Sequence, residues 1–434
     1  MAKIKILKLK NKKCLLFHGD SLSLIEMDEN SLAEFNGYLN CKEDSFSSLK
    51  LSDEFQRYLK SIPLNRLENE DERMPQELRT LVLPISSECN LSCPYCFAKT
   101  SKGNMNFSDY TKEDIDSLLE FLNNKCDPTP HTLVFFGGEP LIRFDIIEHT
   151  VKKVKMYPKL KIDFSITTNG TLLNDKIIDF IKKNNIAILL SIDGMDNEFN
   201  YRKYRNGKSS VPRVLKNIDK LKKANVPFEI RSTLTSDNPY IVETFMFLEE
   251  LDVPFLLAFA YESENKSHTE LTKYDNKAIK RIKEAFDRLE SYYEERIVNN
   301  KPIFNKLILQ FAEILRTRSI QNYECGAGHL YHTIMSDGSL YSCPHLMNQD
   351  SCSLGKLKDW PLKNVDDYDF IPVKSNEMNE CQDCWALNLC HGGCASQKHS
   401  MGKKANQAYL KGKCDLDRLM FEFLIKCYYE IVTH

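Results

Sequence analysis

A chain of 434 residues exceeds one ordinary hydrophobic core, so two or three domains are expected. At 42% hydrophobic and 28% charged it reads as globular, and a formal charge of -2 gives no reason to expect nucleic acid or an anionic membrane as partner. No apolar run approaches the roughly 20 residues that cross a bilayer, and the basic start Met1-Ala2-Lys3-Ile4-Lys5 lacks the apolar stretch of a secretory signal, so a cytoplasmic location is expected.

Residues 1 to 80 form a first unit. The short apolar runs Ile4–Leu9 and Cys14–Phe17 flank Lys10-Asn11-Lys12-Lys13 and predict a hairpin. Helical patterns follow at Ser31–Leu39 and Ser52–Ser61, and the charged stretch Leu67–Arg73 reads as a linker. From residue 81 the pattern changes to strands at Leu81–Ile85, Thr132–Phe136, Ile162–Thr167, Ala187–Ile192, Phe228–Leu234 and Phe255–Ala260. Between them lie amphipathic helices at Lys112–Asn123, Asp145–Lys155, Asp175–Asn184, Val211–Ala224 and Pro239–Leu251. This alternation predicts an α/β fold with a parallel sheet and right-handed crossovers, either an open doubly wound layer or a partial barrel. In both, ligands sit at the carboxyl ends of the strands. A long helical stretch, Asn276 to Arg316, leads into a cysteine-rich tail with few long apolar runs, which metal ligation is expected to hold together.

Fifteen cysteines in a reducing compartment argue for metal chemistry rather than disulfides. Cys14, Cys41, Cys126 and Cys427 stand alone and read as small buried hydrophobes; the other eleven fall at 89–96 and 325–414. Cys89, Cys93 and Cys96 form a C-x3-C-x2-C loop directly after the first strand of the alternating region. Three thiolates can hold three irons of a cubane and leave the fourth open. A zinc knuckle would want a fourth ligand close by, and the next candidates are Cys126 and His131.

Three further motifs end the next strands. Phe135-Phe136-Gly137-Gly138-Glu139-Pro140 joins two glycines, which let backbone approach a ligand, to a carboxylate that suits a cation; alone it is also an ordinary strand-to-helix turn. Thr167-Thr168-Asn169-Gly170-Thr171 and Ser191-Ile192-Asp193-Gly194 offer hydroxyl and amide groups beside glycine, suited to a ribose or carboxylate, and each is equally a normal helix cap or turn. In the tail, Cys325 and Cys343 make C-x12-G-x4-C, followed by Cys381-x2-Cys384-x5-Cys390-x3-Cys394 and finally Cys414. Seven thiols exceed any one zinc site.

The loop at 89–96, with Tyr95 just before its last cysteine, resembles the radical S-adenosylmethionine (SAM) superfamily, and residues 137–140 match its GGEP motif. The tail is similar to the SPASM extension of such enzymes. The resemblance implies a partial (β/α)6 TIM-type barrel over 81–310, a carboxyl-terminal iron–sulfur domain over 311–434, and a small amino-terminal α+β domain over 1–80. That first domain resembles the winged-helix-like leader-recognition domains of ribosomal-peptide maturases, which pair a leader peptide with an exposed strand edge; a plain structural cap is the other reading.

The implied cofactors are SAM, one [4Fe–4S] cluster on Cys89, Cys93 and Cys96, and two auxiliary [4Fe–4S] clusters. One auxiliary cluster falls to Cys381, Cys384, Cys390 and Cys414, the other to Cys325, Cys343 and Cys394. The fourth position of the latter is either open or filled by Cys352, with His345 and His391 as further alternatives. Gly137, Gly138, Glu139, Asn169, Ser191 and Arg202 are the implied SAM contacts, although Arg202 could equally be structural. No acid–base residue is singled out. The sulfatase maturases of this superfamily carry Asp immediately after the cysteine corresponding to Cys343; here it is Pro344.

The implied activity is an oxygen-sensitive peptide maturase that uses a 5′-deoxyadenosyl radical to abstract hydrogen from a precursor peptide and install a cross-link, a Cys thioether by preference. Carbon–carbon or carbon–oxygen cross-linking, epimerisation and sulfatase-maturase-like oxidation are the alternatives, and a non-catalytic iron–sulfur electron carrier is the alternative of another class. A precursor peptide and an electron donor such as ferredoxin or flavodoxin are the expected partners.

Overall fold

A computed structural model of the chain describes residues 3–10, 12–33, 74–98, 107–125, 131–261, 269–347, 349–374, 381–401 and 407–434. Of the expected amino-terminal helices, only residues 31–33 fall among these; Ser52–Ser61 and the linker Leu67–Arg73 lie outside the described residues. No helix among the described residues is long and apolar enough to cross a membrane.

The expected hairpin forms as β1 (Ile4–Lys8) and β2 (Cys14–His18), and a third antiparallel strand, β3 (Ser23–Met27), gives the order β1-β2-β3. β2 is buried along its whole length because the carboxyl-terminal segment covers it: Phe17 packs edge-on against Trp385 at 5.9 Å, and Lys5 pairs with Glu422 at 2.5 Å. Leu7, Leu15, Phe17 and Leu22 belong to the same hydrophobic cluster as the main sheet. The small sheet therefore shares its core with the rest of the chain.

Six parallel strands follow: β4 (Thr80–Ser86), β5 (His131–Gly137), β6 (Ile162–Thr168), β7 (Ala187–Ser191), β8 (Phe228–Leu234) and β9 (Phe255–Phe259). Each matches its expected position to within a residue or two. The crossovers are α1 (Lys112–Lys125), α2 (Phe144–Val154), α3 (Asp175–Lys183), α4 (Val211–Lys223) and α5 (Ile241–Glu250). α3 shows why they form: Asn174 caps it by accepting from Ile177 N, and Ile177, Ile178 and Ile181 recur on one buried face.

The carboxyl-terminal strands β10 (Tyr331–Ile334), β11 (Ser339–Tyr341) and β12 (Ser353–Lys356) extend the same sheet, in the order β12-β11-β10-β4-β5-β6-β7-β8-β9. β10 runs parallel to β4, and β11 and β12 are antiparallel additions. The sheet is curved, not flat. β9 and β11 stand seven places apart, about 34 Å in a flat sheet. Yet Tyr261, just after β9, hydrogen-bonds His345, just after β11, with ring centroids 5.0 Å apart. Only a sheet rolled into a partial barrel brings those ends together, which decides against the open layer.

Two helical expectations are corrected. The stretch from Asn276 to Arg316 is two helices, α6 (Asn276–Val298) and α7 (Lys306–Thr317), broken at 299–305. Buried Glu249 fixes the break, accepting from Tyr293 Oη at 2.9 Å, Phe304 N at 2.9 Å and Asn305 N at 3.2 Å. The tail, after the short helix α8 (Ala395–Met401), ends in the long helix α9 (Gln407–Thr433), which buries Leu416, Phe423, Leu424, Ile425 and Cys427. Each such apolar side chain contributes about 1.5–3 kcal/mol, so ordinary hydrophobic packing holds this end of the tail.

Candidate active site

The loop that follows β4 carries Cys89, Cys93 and Cys96. It is tied down on both flanks: Ser87 donates from N and Oγ to Asp109 Oδ1 at 2.7 Å, and Ser92 N donates to Lys203 O at 2.8 Å. Behind it lies the turn that ends β5. Gly138 N donates to Ser86 O at 2.7 Å and Glu139 N to Glu88 O at 2.8 Å. A Cβ on Gly138 would fall 2.1 Å from Glu88 O, and one on Gly137, at φ 125°, would fall 2.3 Å from Ser86 O. The two glycines are thus required by close approach to the chain's own backbone leading into Cys89, not by approach to a ligand.

Glu139 is fully buried. Its carboxylate accepts from Leu141 N at 3.1 Å, Thr168 Oγ1 at 2.7 Å and Asn169 N at 2.8 Å. Burial pushes it up to about 6, against the pull of these donors. Glu139 therefore locks the end of β6 to the turn after β5. Asn169, so positioned, donates from Nδ2 to Asn90 Oδ1 at 2.9 Å and reaches to 3.9 Å of Cys89 Sγ.

Ser191 closes β7, pairs in register with Arg231 of β8 and is buried. Two residues on, Asp193 gathers a set that no local motif announces. Its carboxylate accepts from Arg202 Nε at 2.8 Å, from Thr233 N at 3.0 Å and from the Tyr95 hydroxyl, and the Arg202 guanidinium lies over the Tyr95 ring at 5.9 Å. Arg202 is therefore engaged by the protein. Burial opposes its charge, but Asp193, Tyr95 and Cys93 outweigh that and hold its pKa above the ordinary value. Tyr95, Asp193 and Arg202 were each visible in the sequence; only the fold shows them acting together beside the thiols.

Cys93 is 8% exposed, and burial pushes its thiol up to about 12, with Cys96 and Cys89 close enough to add their own repulsion. A thiol in this state stays protonated until a cation draws out the thiolate. Among the described residues no three His, Cys, Asp or Glu side chains close around a point suited to one metal ion. Three neighbouring thiols can hold three irons of a cubane and leave the fourth open.

Electrostatic influence links Cys343 to Cys394 and Cys325, and Cys414 to Cys390 and Cys384. Cys343, in the turn after β11, is pushed up to about 12 by burial and by Cys394 and Cys325. Cys394 Sγ lies 3.0 Å from Ser396 Oγ at the start of α8. In the other group Cys390 is raised by burial and by Asp417, Glu324 and Cys414, and Cys414 in turn feels Cys384. Cys381 joins them through a turn in which Cys384 N donates to Cys381 O at 2.9 Å.

Of the alternative ligands, Cys352 is fully buried with its Sγ 3.1 Å from both Gln349 Oε1 and His399 Nε2, and His399 Nδ1 lies 2.7 Å from Asp369. His345 turns to Tyr261 and to the Phe97 ring, 3.8 Å away, and His391 ends the helical turn Leu387–Cys390 at φ 51°. Of the three, His345 does reach the Cys343 thiol, but through its backbone N–H rather than its imidazole.

The Radical SAM superfamily profile matches residues 83–248. A cysteine-type anaerobic sulfatase-maturating enzyme of Clostridium perfringens (strain 13 / Type A) is 28% identical over 363 residues, covering 80% of this chain and 96% of that enzyme. The solved structure of native anSMEcpe with bound AdoMet superposes with a TM-score of 0.66 at 24% identity, covering 81% of this chain and 99% of that one. Streptococcus suis SuiB bound to precursor peptide SuiA shares the fold at a TM-score of 0.53 and 19% identity, over 91% of this chain and 95% of that one. The chain belongs to the radical SAM superfamily: it is an enzyme of the kind that works with a [4Fe–4S] cluster and SAM, related to the anaerobic sulfatase-maturating enzymes.

Proposed function

We propose that this enzyme is a cytoplasmic peptide maturase that takes a hydrogen atom from a residue of a ribosomally made precursor and installs a cross-link, with a Cys thioether as the product. When bound, the [4Fe–4S] cluster and SAM supply a 5′-deoxyadenosyl radical able to abstract hydrogen from an unactivated carbon. Cys89, Cys93 and Cys96 hold that cluster. Gly137, Gly138 and Glu139 form the rigid back of the SAM site, Asn169 and Ser191 face SAM, and Arg202 acts through Asp193, keeping Tyr95 and the last turn of the thiol loop in place. Residues 311–434 are read as a SPASM-type domain, with Cys381, Cys384, Cys390 and Cys414 on one auxiliary cluster and Cys325, Cys343 and Cys394 on the other. Residues 1–80 are read as the leader-recognition domain, and a ferredoxin or flavodoxin as the electron donor.

One observation carries the thioether reading. The group Cys325/Cys343/Cys394 has three thiols, and Tyr331 on β10 lies within electrostatic reach both of Cys343 and Cys325 and of Arg231 on β8. A cluster short of one ligand, next to the chamber where the radical forms, is suited to receive a substrate thiolate. The test is mass spectrometry of a co-expressed small Cys-rich precursor from the neighbouring reading frame. Wild type should remove two hydrogens and leave the Cys resistant to alkylation, and Cys93→Ala should leave the peptide unchanged. An unmodified precursor with active enzyme sinks the reading.

Sulfatase-maturase-like oxidation is the second reading, favoured by the Clostridium perfringens relative. Pro344, in place of the Asp expected after that cysteine, weighs against it.

A further inference from the structure

We propose that Arg231 is a carboxylate-binding residue of the substrate chamber, so that the peptide enters the barrel presenting an anionic group: an Asp or Glu side chain, or a free carboxyl terminus. This inference rests on the peptide-maturase reading and deepens it.

The placement comes from the strand. Along β8 the residues Phe228, Ile230, Ser232 and Leu234 are buried, while Glu229, Arg231 and Thr233 alternate onto the other face. That face is the barrel interior, because Arg231 feels Tyr261 at the end of β9 and Tyr331 on β10. β10 lies five places away in the sheet order, so Tyr331 meets Arg231 only across the lumen. Arg231 stands level with Ser191, its register partner, and His345 feels its charge from the opposite rim. Its side chain is solvent-accessible although the walls around it are protein, which is the condition of a group lining a chamber.

The groups facing it are two phenols, an imidazole and a second arginine, Arg202. Among the described residues no carboxylate is paired with its guanidinium. The neighbouring carboxylates are committed elsewhere: Asp193 to Arg202, Tyr95 and Thr233; Glu139 to Leu141, Thr168 and Asn169; Glu229 to Lys306 at 2.6 Å. Other partly buried cations have partners, as Arg202 has Asp193, Arg296 has Glu249 and Lys426 has Glu290. The exposed guanidinium of Arg231 is open to an incoming ligand. A guanidinium without a carboxylate partner can bind one through two parallel hydrogen bonds. The carboxylate of SAM is the competing source, and the test separates the two.

The experiment uses anaerobically reconstituted full-length enzyme and three acetylated pentapeptides: one with a central Glu among glycines and an amidated end, its Gln counterpart, and pentaglycine with a free carboxyl terminus. Affinities are measured with SAM present, and SAM affinity is measured alone. At least one anionic peptide should bind wild type about tenfold more tightly than the Gln peptide, the size of one charge-assisted hydrogen-bonded contact. Arg231→Gln should erase that difference with SAM affinity and thermal midpoint unchanged, and Arg231→Lys should keep part of it. The tighter of the two anionic peptides names the source of the carboxylate. Equal binding of all three peptides by wild type overturns the proposal, as does an Arg231→Gln enzyme that loses SAM affinity by the same factor. The co-expression result for the precursor is independent: an unmodified precursor rejects the maturase reading whatever the pentapeptides do.

Discussion

Around Cys89, Cys93 and Cys96 the chain supplies hydrogen bonds from the ends of four barrel strands, whereas around the tail cysteines it supplies short turns, one face of α9 and a few charges. Glu139, Asn169, Asp193 and Arg202 are each satisfied by protein partners before any cluster arrives. In the tail, Cys325, Cys343 and Cys394 come from three separate segments, and Cys325 and Cys414 are exposed. The contrast teaches which part depends on metal. The barrel site is held by its own polar network on a packed core, while the 381–401 segment is anchored at Trp385 against Phe17 and at Asn388 donating to Gly19 O at 3.0 Å, so ligation of its thiols is expected to add to its stability, and α9 is docked independently.

The largest effect that probes this contrast is Cys93→Ala. It should abolish 5′-deoxyadenosine formation under dithionite, a fall of at least ~1000-fold, because SAM cleavage needs that cluster. Since the barrel network does not involve the thiol, stability should change by no more than about 1 kcal/mol. A cooperative loss of the whole fold in this variant would break the contrast. Next is Asp193→Asn, which takes the negative charge from a carboxylate whose side chain is 4% exposed and leaves Arg202, 14% exposed, without its partner. Removing one member of such a pair costs about 3 kcal/mol, read by denaturant unfolding, with SAM affinity falling alongside. A loss below about 1 kcal/mol would mean that the network is not what holds the loop.

A pair of smaller effects divides the tail. Cys394→Ala should lower the iron and sulfide of the reconstituted enzyme by about a third, as one of three cubanes is lost. Cys352→Ala should leave iron unchanged and cost only about 1–2 kcal/mol from its cavity and the contacts to Gln349 and His399. Iron loss in Cys352→Ala would place that thiol among the ligands after all.

Much of this was legible from residue order alone. The six barrel strands announce themselves by alternation. The break between α6 and α7 had a signal that went unread, Asn299-Asn300-Lys301-Pro302, a turn sequence set between two strong helical periods. α9 is hidden because the tail has few long apolar runs and Cys414 reads as a ligand, although Leu416, Phe423, Leu424 and Cys427 keep one face. What residue order could not supply is anything that depends on curvature. Arg231, Tyr261, Tyr331 and His345 lie on four elements, and they meet only because the sheet rolls up.

The smallest effect tests the strand that joins the two regions. His332 sits on β10, fully buried, with its ring edge-on to Trp360 at 5.1 Å, and burial lowers its pKa to about 4. In the unfolded chain the same imidazole titrates near 6.5. Between those values the unfolded state binds more protons than the folded one, so stability is full above pH 6.5 and falls as the pH drops toward 4. At one and a half pH units below the unfolded value this amounts to about 2 kcal/mol relative to neutral pH. His332→Phe keeps an aromatic ring against Trp360 and removes the titration. The variant should match wild type to within about 1 kcal/mol at pH 7 and exceed it at pH 5, as read by denaturant unfolding at both pH values. If the two proteins lose stability in parallel on acidification, the acid-sensitive element lies elsewhere, and the seam between barrel and tail is held by apolar packing and strand pairing alone.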